Sequence, residues 1–534
     1  GQAFCNASPF LLKDLTSRAK AQTLKADFIA YLDGFSPNVQ VILDKFKFRN
    51  QIDTMVDADI LGAVIEKFTS SDINLSPNPI YKDDAKTILK HPGLDNHGMG
   101  TIFEELIRKF NEENNEEAGE HWTPRDVVEL MADLVFMPIA DKIKDASYSC
   151  YDGACGTGGM LTVAQDRLLT LAKRRGKEVA IHLFGQEINP ETYAICTADM
   201  LLKGDGEEAE HIMYGSTLSD DQNASRQFDF MLSNPPYGKS WKTDAEKMGG
   251  KKDILDTRFN AYLSDTTEIQ MLPKTSDGQL LFLLNNISKM KKDTELGSRI
   301  AEVHNASSLF SGDAGSGESN ARRFMFENDL VEAIIALPES MFYNTSLGTY
   351  IWVLTNKKEE RRKGKVQLID ATAMKSPLKK NMGKKSCELT PDLQKEIVKI
   401  FLAMEESEVS KIFSNSDFGF WKITVLQPQL DEDGSVVVDK KGRPVPDKDK
   451  TDTEIIPFTY PGGIEGFMDA EVRPYAPDAW VDPKKTQIGY ELSFTKYFYK
   501  HVTLRSMKEI VADLRGVEAE TEGILNTIVE GRND

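Results

Sequence analysis

Residues 147–175 read SYSCYDGACGTGGMLTVAQDRLLTLAKRR, the pattern of a short strand, a glycine-rich turn and an amphipathic helix. The helical spacing runs from Leu161 to Arg175. Glycines between a strand and a helix let the backbone approach a ligand closely, and the first turn of the helix offers free N–H groups. We therefore predict a nucleotide-like ligand at this turn, on a sheet that is covered by helices.

The residues around the turn narrow the choice of ligand. The dinucleotide fingerprint G-x-G-x-x-G fails at its third glycine, where Leu161 stands. Asp152 would place a carboxylate near phosphate charge, whereas it would attract an amino-acid ammonium group. A second predicted strand, residues 181–186, ends in Glu187, the usual place for an acidic residue that holds ribose hydroxyls. The turn allows close approach of a ligand, Asp152 suits an ammonium group and Glu187 suits ribose hydroxyls. Together these features indicate S-adenosylmethionine as the cofactor.

A second motif, SNPPYG at residues 233–238, directly follows a short apolar run at 228–232. Asn234 offers a side-chain carbonyl, Pro235 a backbone carbonyl that accepts, and Tyr237 a flat ring beside both. Two acceptors and a ring suit a planar group that carries an NH2. The alternative is an ordinary turn, because Asn-Pro often starts one.

These motifs resemble those of DNA adenine-N6 methyltransferases, and they occur in the same order. The resemblance is closest to the modification (M) subunit of a type I restriction-modification system. It implies a doubly wound, Rossmann-like α/β sheet of the S-adenosylmethionine-dependent methyltransferase class, with an N-terminal helical domain and a C-terminal helical extension. The segments that carry it are EHWTPR at 120–125, DGACGTGG at 152–159, Glu187 and NPPY at 234–237, with weaker similarity at 278–283, 298–301 and 341–345.

The resemblance also implies roles for individual residues. Asn234, Pro235 and Tyr237 would be catalytic, and the segment at 120–125 would fold over the methionine part of the cofactor. For Thr123 a second interpretation is the N-cap of the following helix. The implied cofactor-binding residues are Glu120, His121, Trp122, Thr123, Pro124, Arg125, Asp152, Gly153, Gly156, Thr157, Gly158, Gly159 and Glu187.

Two parts of the implied site stay open. Phe342 or Tyr343 is expected on the other face of the target base, although an aromatic residue before a turn is often part of a core. Family members often have Asp or Asn at the end of the third strand, but here residues 211–214 run into Gly215, so the contacts to the cofactor's adenine are not assigned. No metal site is predicted, since His121 has no second ligand at a suitable spacing.

The implied reaction is methyl transfer to N6 of an adenine flipped out of DNA. Two alternatives remain. A glutamine carboxamide in a protein also presents a planar NH2, so the chain could instead be a glutamine-amide methyltransferase. It could also be a catalytically silent subunit that only holds an assembly together.

Composition bounds the partners and the compartment. The chain has 534 residues, of which 40% are hydrophobic, and a formal net charge of -19. No apolar run is long enough to cross a membrane, and five cysteines without a C-x-x-C pattern favour a reduced, cytoplasmic protein. A lysine-rich stretch at 239–252 could touch DNA, or could be a solvated loop. The first residue is Gly rather than Met, so whether the natural N-terminus is present stays open.

The acidic balance suggests that another subunit supplies most of the DNA affinity. In the family that the chain resembles, a specificity (S) subunit reads the target. The chain shows neither an ATP-binding G-x-x-x-x-G-K-[ST] loop nor a nuclease constellation, so cleavage and translocation are expected from a restriction (R) subunit. Two copies of the chain per complex are expected, while the DNA recognition sequence, the stoichiometry and any activity without the S subunit are not given by the sequence.

We predict three domains. Residues 1–98 form a helical domain, 99–405 the methyltransferase domain, and 406–534 a C-terminal region with a charged insertion. In the last region one apolar stripe has helical spacing, which indicates either packing on the protein itself or docking to a partner helix. The stripe consists of Met507, Ile510, Leu514, Val517, Thr521, Ile524 and Ile528.

Overall fold

A computed structural model of the chain describes residues 4–17, 23–94, 122–203, 207–263, 267–499 and 507–517, together with residues 99, 102, 106 and 109. Residues 1–493 form one compact unit and residues 494–534 a second. Within the described part, no helix combines the length and the apolar character needed to cross a bilayer.

The N-terminal segment is helical, as its apolar periodicity predicts. Of five short helices, four bury Leu15, Phe28, Ile52 and Ile65 in a small core of their own, whereas the third buries Ile42 in the main core. A two-stranded hairpin follows them. The boundary at residue 98 stays a prediction. The helices are α1 (Leu12–Thr16), α2 (Leu24–Asp33), α3 (Pro37–Lys45), α4 (Phe48–Asp57) and α5 (Leu61–Phe68), and the strands are β1 (Ile80–Tyr81) and β2 (Leu89–His91).

The centre of the molecule is a nine-stranded sheet with the order β15-β12-β10-β11-β9-β6-β3-β4-β5. Seven strands run parallel, whereas β11 and β15 run antiparallel to their neighbours. The predicted doubly wound sheet is confirmed. Its strands are β3 (Ala146–Asp152), β4 (Val179–Glu187), β5 (Ile212–Tyr214), β6 (Phe230–Ser233), β9 (Arg299–Asn305), β10 (Val331–Ala336), β11 (Thr349–Thr355), β12 (Lys365–Asp370) and β15 (Ser410–Ser414).

Helices cover the faces of this sheet, which is why every residue of β10 is buried. The helix that follows the first glycine turn packs on β3 and β4, and the helix after Pro124 packs beside it. The helices are α6 (Arg125–Phe136), α7 (Gly159–Arg174), α8 (Pro190–Lys203), α9 (Glu207–Glu210), α10 (Lys242–Lys247), α11 (Gln279–Ser288), α12 (Ser307–Phe310), α13 (Gly317–Glu327) and α14 (Pro391–Ala403).

The strand order determines where a ligand can bind. From β3 the chain adds β4 and β5 on one side of the sheet, and it then crosses to add β6 and β9 on the other. Connections that leave adjacent parallel strands in opposite directions open a crevice at the carboxyl ends of those strands. The turn after Asp152 and the loop after Ser233 both lie at this crevice, because β3 and β6 are paired neighbours.

Smaller elements complete the first unit. They are the hairpins β7 (Asn260–Tyr262) with β8 (Glu268–Gln270) and β13 (Ser376–Met382) with β14 (Lys385–Glu388), and a sheet of β16 (Gly419–Leu426), β17 (Asp452–Pro457), β18 (Trp480–Val481) and β19 (Gln487–Tyr490) with helix α15 (Gly463–Phe467).

The second unit contains α16 (Phe494–Phe498) and a helix over residues 507–517. The predicted stripe is helical where it is described, and Met507 and Leu514 are 75% and 63% exposed. Its remaining members, Thr521, Ile524 and Ile528, lie outside the described residues. The docking role of the stripe stays a prediction.

Candidate functional site

A cavity of about 600 Å³ lies at the carboxyl ends of β3, β4 and β6. It collects residues that are far apart in the sequence, as the crevice of a doubly wound sheet does. Among the residues expected from the sequence, Pro124 and Gly158 do not line it, and Glu120 and His121 lie outside the described residues. Those that line it are Trp122, Thr123, Arg125, Asp152, Gly153, Gly156, Thr157, Gly159, Glu187, Asn234, Pro235 and Tyr237.

The glycine turn is held against the end of β4. The backbone N–H of Gly156 donates to Glu187 Oε2 over 2.9 Å, and the N–H of Asn189 donates to Glu187 Oε1 over 2.7 Å. Gly158 has a φ of 82°, and a Cβ there would lie 2.7 Å from Cys196 Sγ. Only glycine fits this position, both for its backbone conformation and for the space available.

Asp152 is the acidic group at the floor of the cavity. Its Oδ1 accepts from the N–H of Ala154 at 3.0 Å and from the hydroxyl of Ser233 at 2.7 Å. The pKa of Asp152 is raised to about 7, mainly by burial and to a lesser extent by the charges of Glu187 and Glu302, while the two hydrogen bonds oppose the rise. A cationic ligand group beside this carboxylate would therefore be favoured.

The loop after β6 presents an unpaired acceptor. Asn234 Nδ2 donates to Thr123 Oγ1 over 3.0 Å, which orients the amide. Asn234 Oδ1 is buried and accepts no hydrogen bond from any described residue. A buried polar atom without a partner costs free energy, so such an atom in a cavity points to a ligand that donates to it.

Pro235 and Tyr237 stand beside that acceptor. Pro235 is buried, Tyr237 is half-buried, and both line the cavity. Burial raises the pKa of Tyr237 to about 12. The ring is therefore neutral near pH 7 and suits stacking rather than proton transfer.

The segment before α6 reaches the same cavity. The helix begins at Arg125, and the N-cap is Pro124, without a side-chain cap hydrogen bond. The interpretation of Thr123 as the N-cap is therefore wrong, and its hydroxyl instead accepts from the Asn234 amide. Thr123 thereby links the expected cofactor segment to the expected catalytic loop.

The loop after β5, residues 215–218, also lines the cavity, although no cofactor contact is assigned to it from the sequence. Thr217 donates its hydroxyl to the carbonyl of Gly153, and Ser216 donates to Asp244 Oδ1 over 2.6 Å. Arg258 donates to the carbonyls of residues 217 and 218 over 2.8 and 2.7 Å. Sequence reasoning missed Arg258, because it lies about 40 residues further along the chain and outside any motif.

The aromatic lining also differs from the expectation. Phe342 is 2% exposed and belongs to the hydrophobic core, and Tyr343 is not among the cavity residues. Trp241, Phe282 and Asn344 do line the cavity. Phe282 lies in the weakly similar segment 278–283, so that segment contained the only indication of it.

Among the residues that the structure describes, no group of three or more His, Cys, Asp or Glu side chains could hold a metal ion.

Comparison with known proteins adds the family. The model of a family described as N-6 DNA Methylase matches residues 94–418, more than half of the chain. Two similar proteins are the methylase subunits of the type I restriction enzymes MjaIX of Methanocaldococcus jannaschii and MpnII of Mycoplasma pneumoniae. The first is 28% identical over 61% of this chain, and the second 29% identical over 58%. Each alignment covers 52% of the relative, so the chain spans about half the length of the curated relatives it matches.

Among solved structures, the chain is similar to the methyltransferase subunit of a type I restriction-modification system from Streptococcus thermophilus. The TM-score is 0.55 at 21% identity, and the likeness covers 76% of each chain. At this identity the likeness bears on the fold alone.

Proposed function

Since the chain belongs to the N-6 DNA methylase family, we propose that it transfers a methyl group from S-adenosylmethionine to N6 of an adenine in DNA. The observation that carries the proposal is the buried, unpaired Oδ1 of Asn234 at the wall of the cavity. An amine hydrogen of the target base would satisfy this acceptor.

Asn234 and Pro235 would activate the amine. The N6 lone pair of adenine is delocalised into the ring, which makes the nitrogen a poor nucleophile. Two hydrogen bonds, one to Asn234 Oδ1 and one to the Pro235 carbonyl, favour a pyramidal nitrogen whose lone pair is localised. The acceleration of methyl transfer then comes from the orientation of the reactants and from hydrogen-bond acceptors that are already in place, without a covalent enzyme intermediate.

The base would reach the cavity by leaving the stack. N6 is inaccessible inside a duplex, and flipping costs a few kcal/mol. Tyr237 would offset part of this cost by stacking on the extruded ring. A cavity of about 600 Å³ lies within the range of pockets that hold small ligands.

The residues around the glycine turn fit the cofactor. Gly156 and Gly159 line the cavity and carry no side chain that would block close approach, Glu187 lies where ribose hydroxyls are held, and the Asp152 carboxylate suits an ammonium group. The segment Trp122–Arg125 would cover the methionine part. When bound, S-adenosylmethionine supplies a methyl group activated by its sulfonium.

We extend the proposal to an assembly. The chain would act as the M subunit of a type I restriction-modification complex, with DNA, an S subunit and an R subunit as partners and two copies per complex. The type I methylase subunits among its relatives support this, and a net charge of -19 leaves sequence reading to another subunit. All five cysteines are free thiols, which fits the reducing cytoplasm.

Methyl transfer to two acceptors tests the activity. The full chain, with and without its S subunit, is incubated with labelled S-adenosylmethionine and either a duplex or a glutamine-containing protein. We expect labelled N6-methyladenine after nucleoside digestion and mass spectrometry. Label in protein alone would favour the glutamine-amide alternative, and calorimetric absence of cofactor binding would favour the silent subunit.

A further inference from the structure

A basic hairpin lies outside the cavity. Residues 371–387 contain five lysines and no acidic residue, although the chain as a whole has 84 acidic and 65 basic side chains. The segment includes β13, which pairs antiparallel with β14. Four of the lysines are exposed, and none of these four forms an ion pair with a described residue: Lys375, Lys379, Lys380 and Lys384.

The backbone of the hairpin is bonded to a loop at the cavity. The N–H of Lys384 donates to the carbonyl of Tyr343 over 2.9 Å, and the N–H of Ser386 donates to the carbonyl of Ser340 over 3.0 Å. Asn344, the next residue of that loop, lines the cavity. The hairpin is therefore fixed beside the cavity rather than at a distance from it.

The fifth lysine anchors the hairpin from inside. Lys385 is 3% exposed, and its Nζ lies 3.1 Å from Asp126 Oδ2 and 3.1 Å from the carbonyl of Met341. The N–H of Leu389 donates to the same Oδ2 over 2.8 Å. Asp126 follows Arg125, which lines the cavity, so the base of the hairpin is held on the cofactor side as well.

From this placement we propose that the hairpin of residues 375–385 binds DNA phosphates beside the target adenine. The proposal rests on the proposed function. Exposed lysines without ion-pair partners are free to replace the counterions of a phosphate backbone, and the release of those counterions drives binding. The contacts are independent of base sequence, so they complement a partner that reads the target.

Lysines on exposed strands can also serve only to prevent edge-to-edge pairing of sheets. In that case their loss would leave DNA binding unchanged. The salt dependence of binding separates the two roles, since each phosphate contact adds about 0.9 to the slope of log K against log salt.

The test compares the full chain with a triple variant, Lys379→Gln, Lys380→Gln and Lys384→Gln. A matched control is Lys440→Gln, Lys441→Gln and Lys448→Gln, which removes the same charge from exposed positions that do not line the cavity. Each protein is assembled with the S subunit, and binding of the complex to one fluorescent duplex is measured between 50 and 200 mM salt. We expect the slope of the first variant to fall by about 2.7.

Between 50 and 200 mM salt, the DNA affinity of the unsubstituted chain should fall by a factor about 40 times larger than that of the hairpin variant. Cofactor affinity should be equal in all three proteins. Equal slopes for the hairpin variant and the control, or no duplex binding at 50 mM salt by the complex that contains the unsubstituted chain, would overturn the proposal.

Methyl transfer by the unsubstituted chain with its S subunit is measured on the same duplex. If methyl transfer occurs but the hairpin variant and the control have equal salt slopes, only the DNA-binding role of the hairpin is refuted. If both methyl transfer and cofactor binding are absent, the proposed function is refuted.

Discussion

Replacing Asn234 by alanine should separate catalysis from stability. The substitution removes the acceptor that we propose for the target amine. Loss of one group that is placed to stabilise a transition state costs about 10²–10³ in rate, or about 2.7–4 kcal/mol. We expect kcat to fall by at least that factor, while cofactor affinity stays nearly unchanged.

The effect on folding should be small, for a reason visible in the structure. Asn234→Ala loses one hydrogen bond, from Nδ2 to Thr123 Oγ1, which is worth about 1 kcal/mol. It also removes a buried, unpaired oxygen whose burial costs about 1–3 kcal/mol. The free energy of unfolding should therefore change by less than about 2 kcal/mol, and the variant can be as stable as the parent.

The assay combines single-turnover methyl transfer, calorimetric cofactor binding and urea unfolding. Asn223→Ala is the matched control, because the Asn223 side chain is also buried without a hydrogen-bond partner among the described residues but does not line the cavity. It should keep full activity. Equal loss of transfer and cofactor affinity in Asn234→Ala would mean that the loop only supports the fold, and unchanged transfer would remove Asn234 from the chemistry.

Three further predictions concern the cofactor side. Gly156→Asp, at a φ of 55° beside Glu187, should abolish cofactor binding in calorimetry, whereas Gly176→Asp, at a φ of 64° in open space, should not. Because the pKa of Asp152 is about 7, cofactor affinity should fall tenfold per pH unit below pH 7. It should level off above pH 7, until the ligand amine deprotonates near about pH 8. In Asp152→Asn the fall in affinity below pH 7 should disappear, and a fall that persists would contradict the assignment. Arg258→Met frees two carbonyls of loop 215–218 and removes the ion pairs from Arg258 to Asp221 and Asp256. It should therefore raise the cofactor KM at least tenfold with little change in kcat, and lower the free energy of unfolding by about 3–5 kcal/mol. A fall in kcat alone would contradict this role.

The elements that follow local rules were predictable from the sequence. The strand, glycine turn and helix from 147 to 175 form as their spacing predicts, and the predicted strand at 181–186 lies within β4. In each case the pattern of apolar residues and glycines is contained within one window of sequence. The loop at 233–238 likewise lies at the end of a strand, because a short apolar run precedes it.

The residues that depend on contacts between distant segments were not predictable. Arg258 reaches the loop at 215–218 from a separate hairpin region, and nothing in its neighbours indicates this. Phe342 reads like a stacking residue, but packing against the sheet buries it in the core. Thr123 is of a residue type that often caps helices, but its hydroxyl accepts a hydrogen bond from the amide of Asn234, 111 residues away. In each case a tertiary contact overrides a local preference.

The ammonium of Lys385 joins three stretches of chain, at positions 126, 341 and 385, of which the first follows directly on the cavity residue Arg125. A buried charge of this kind is costly to leave unpaired, so the three stretches should shift as one piece or not at all. Under our proposals, DNA bound to the exposed lysines of the hairpin would also affect the position of the residues that cover S-adenosylmethionine. Occupancy of either ligand would then strengthen binding of the other by the same factor, as thermodynamic linkage requires.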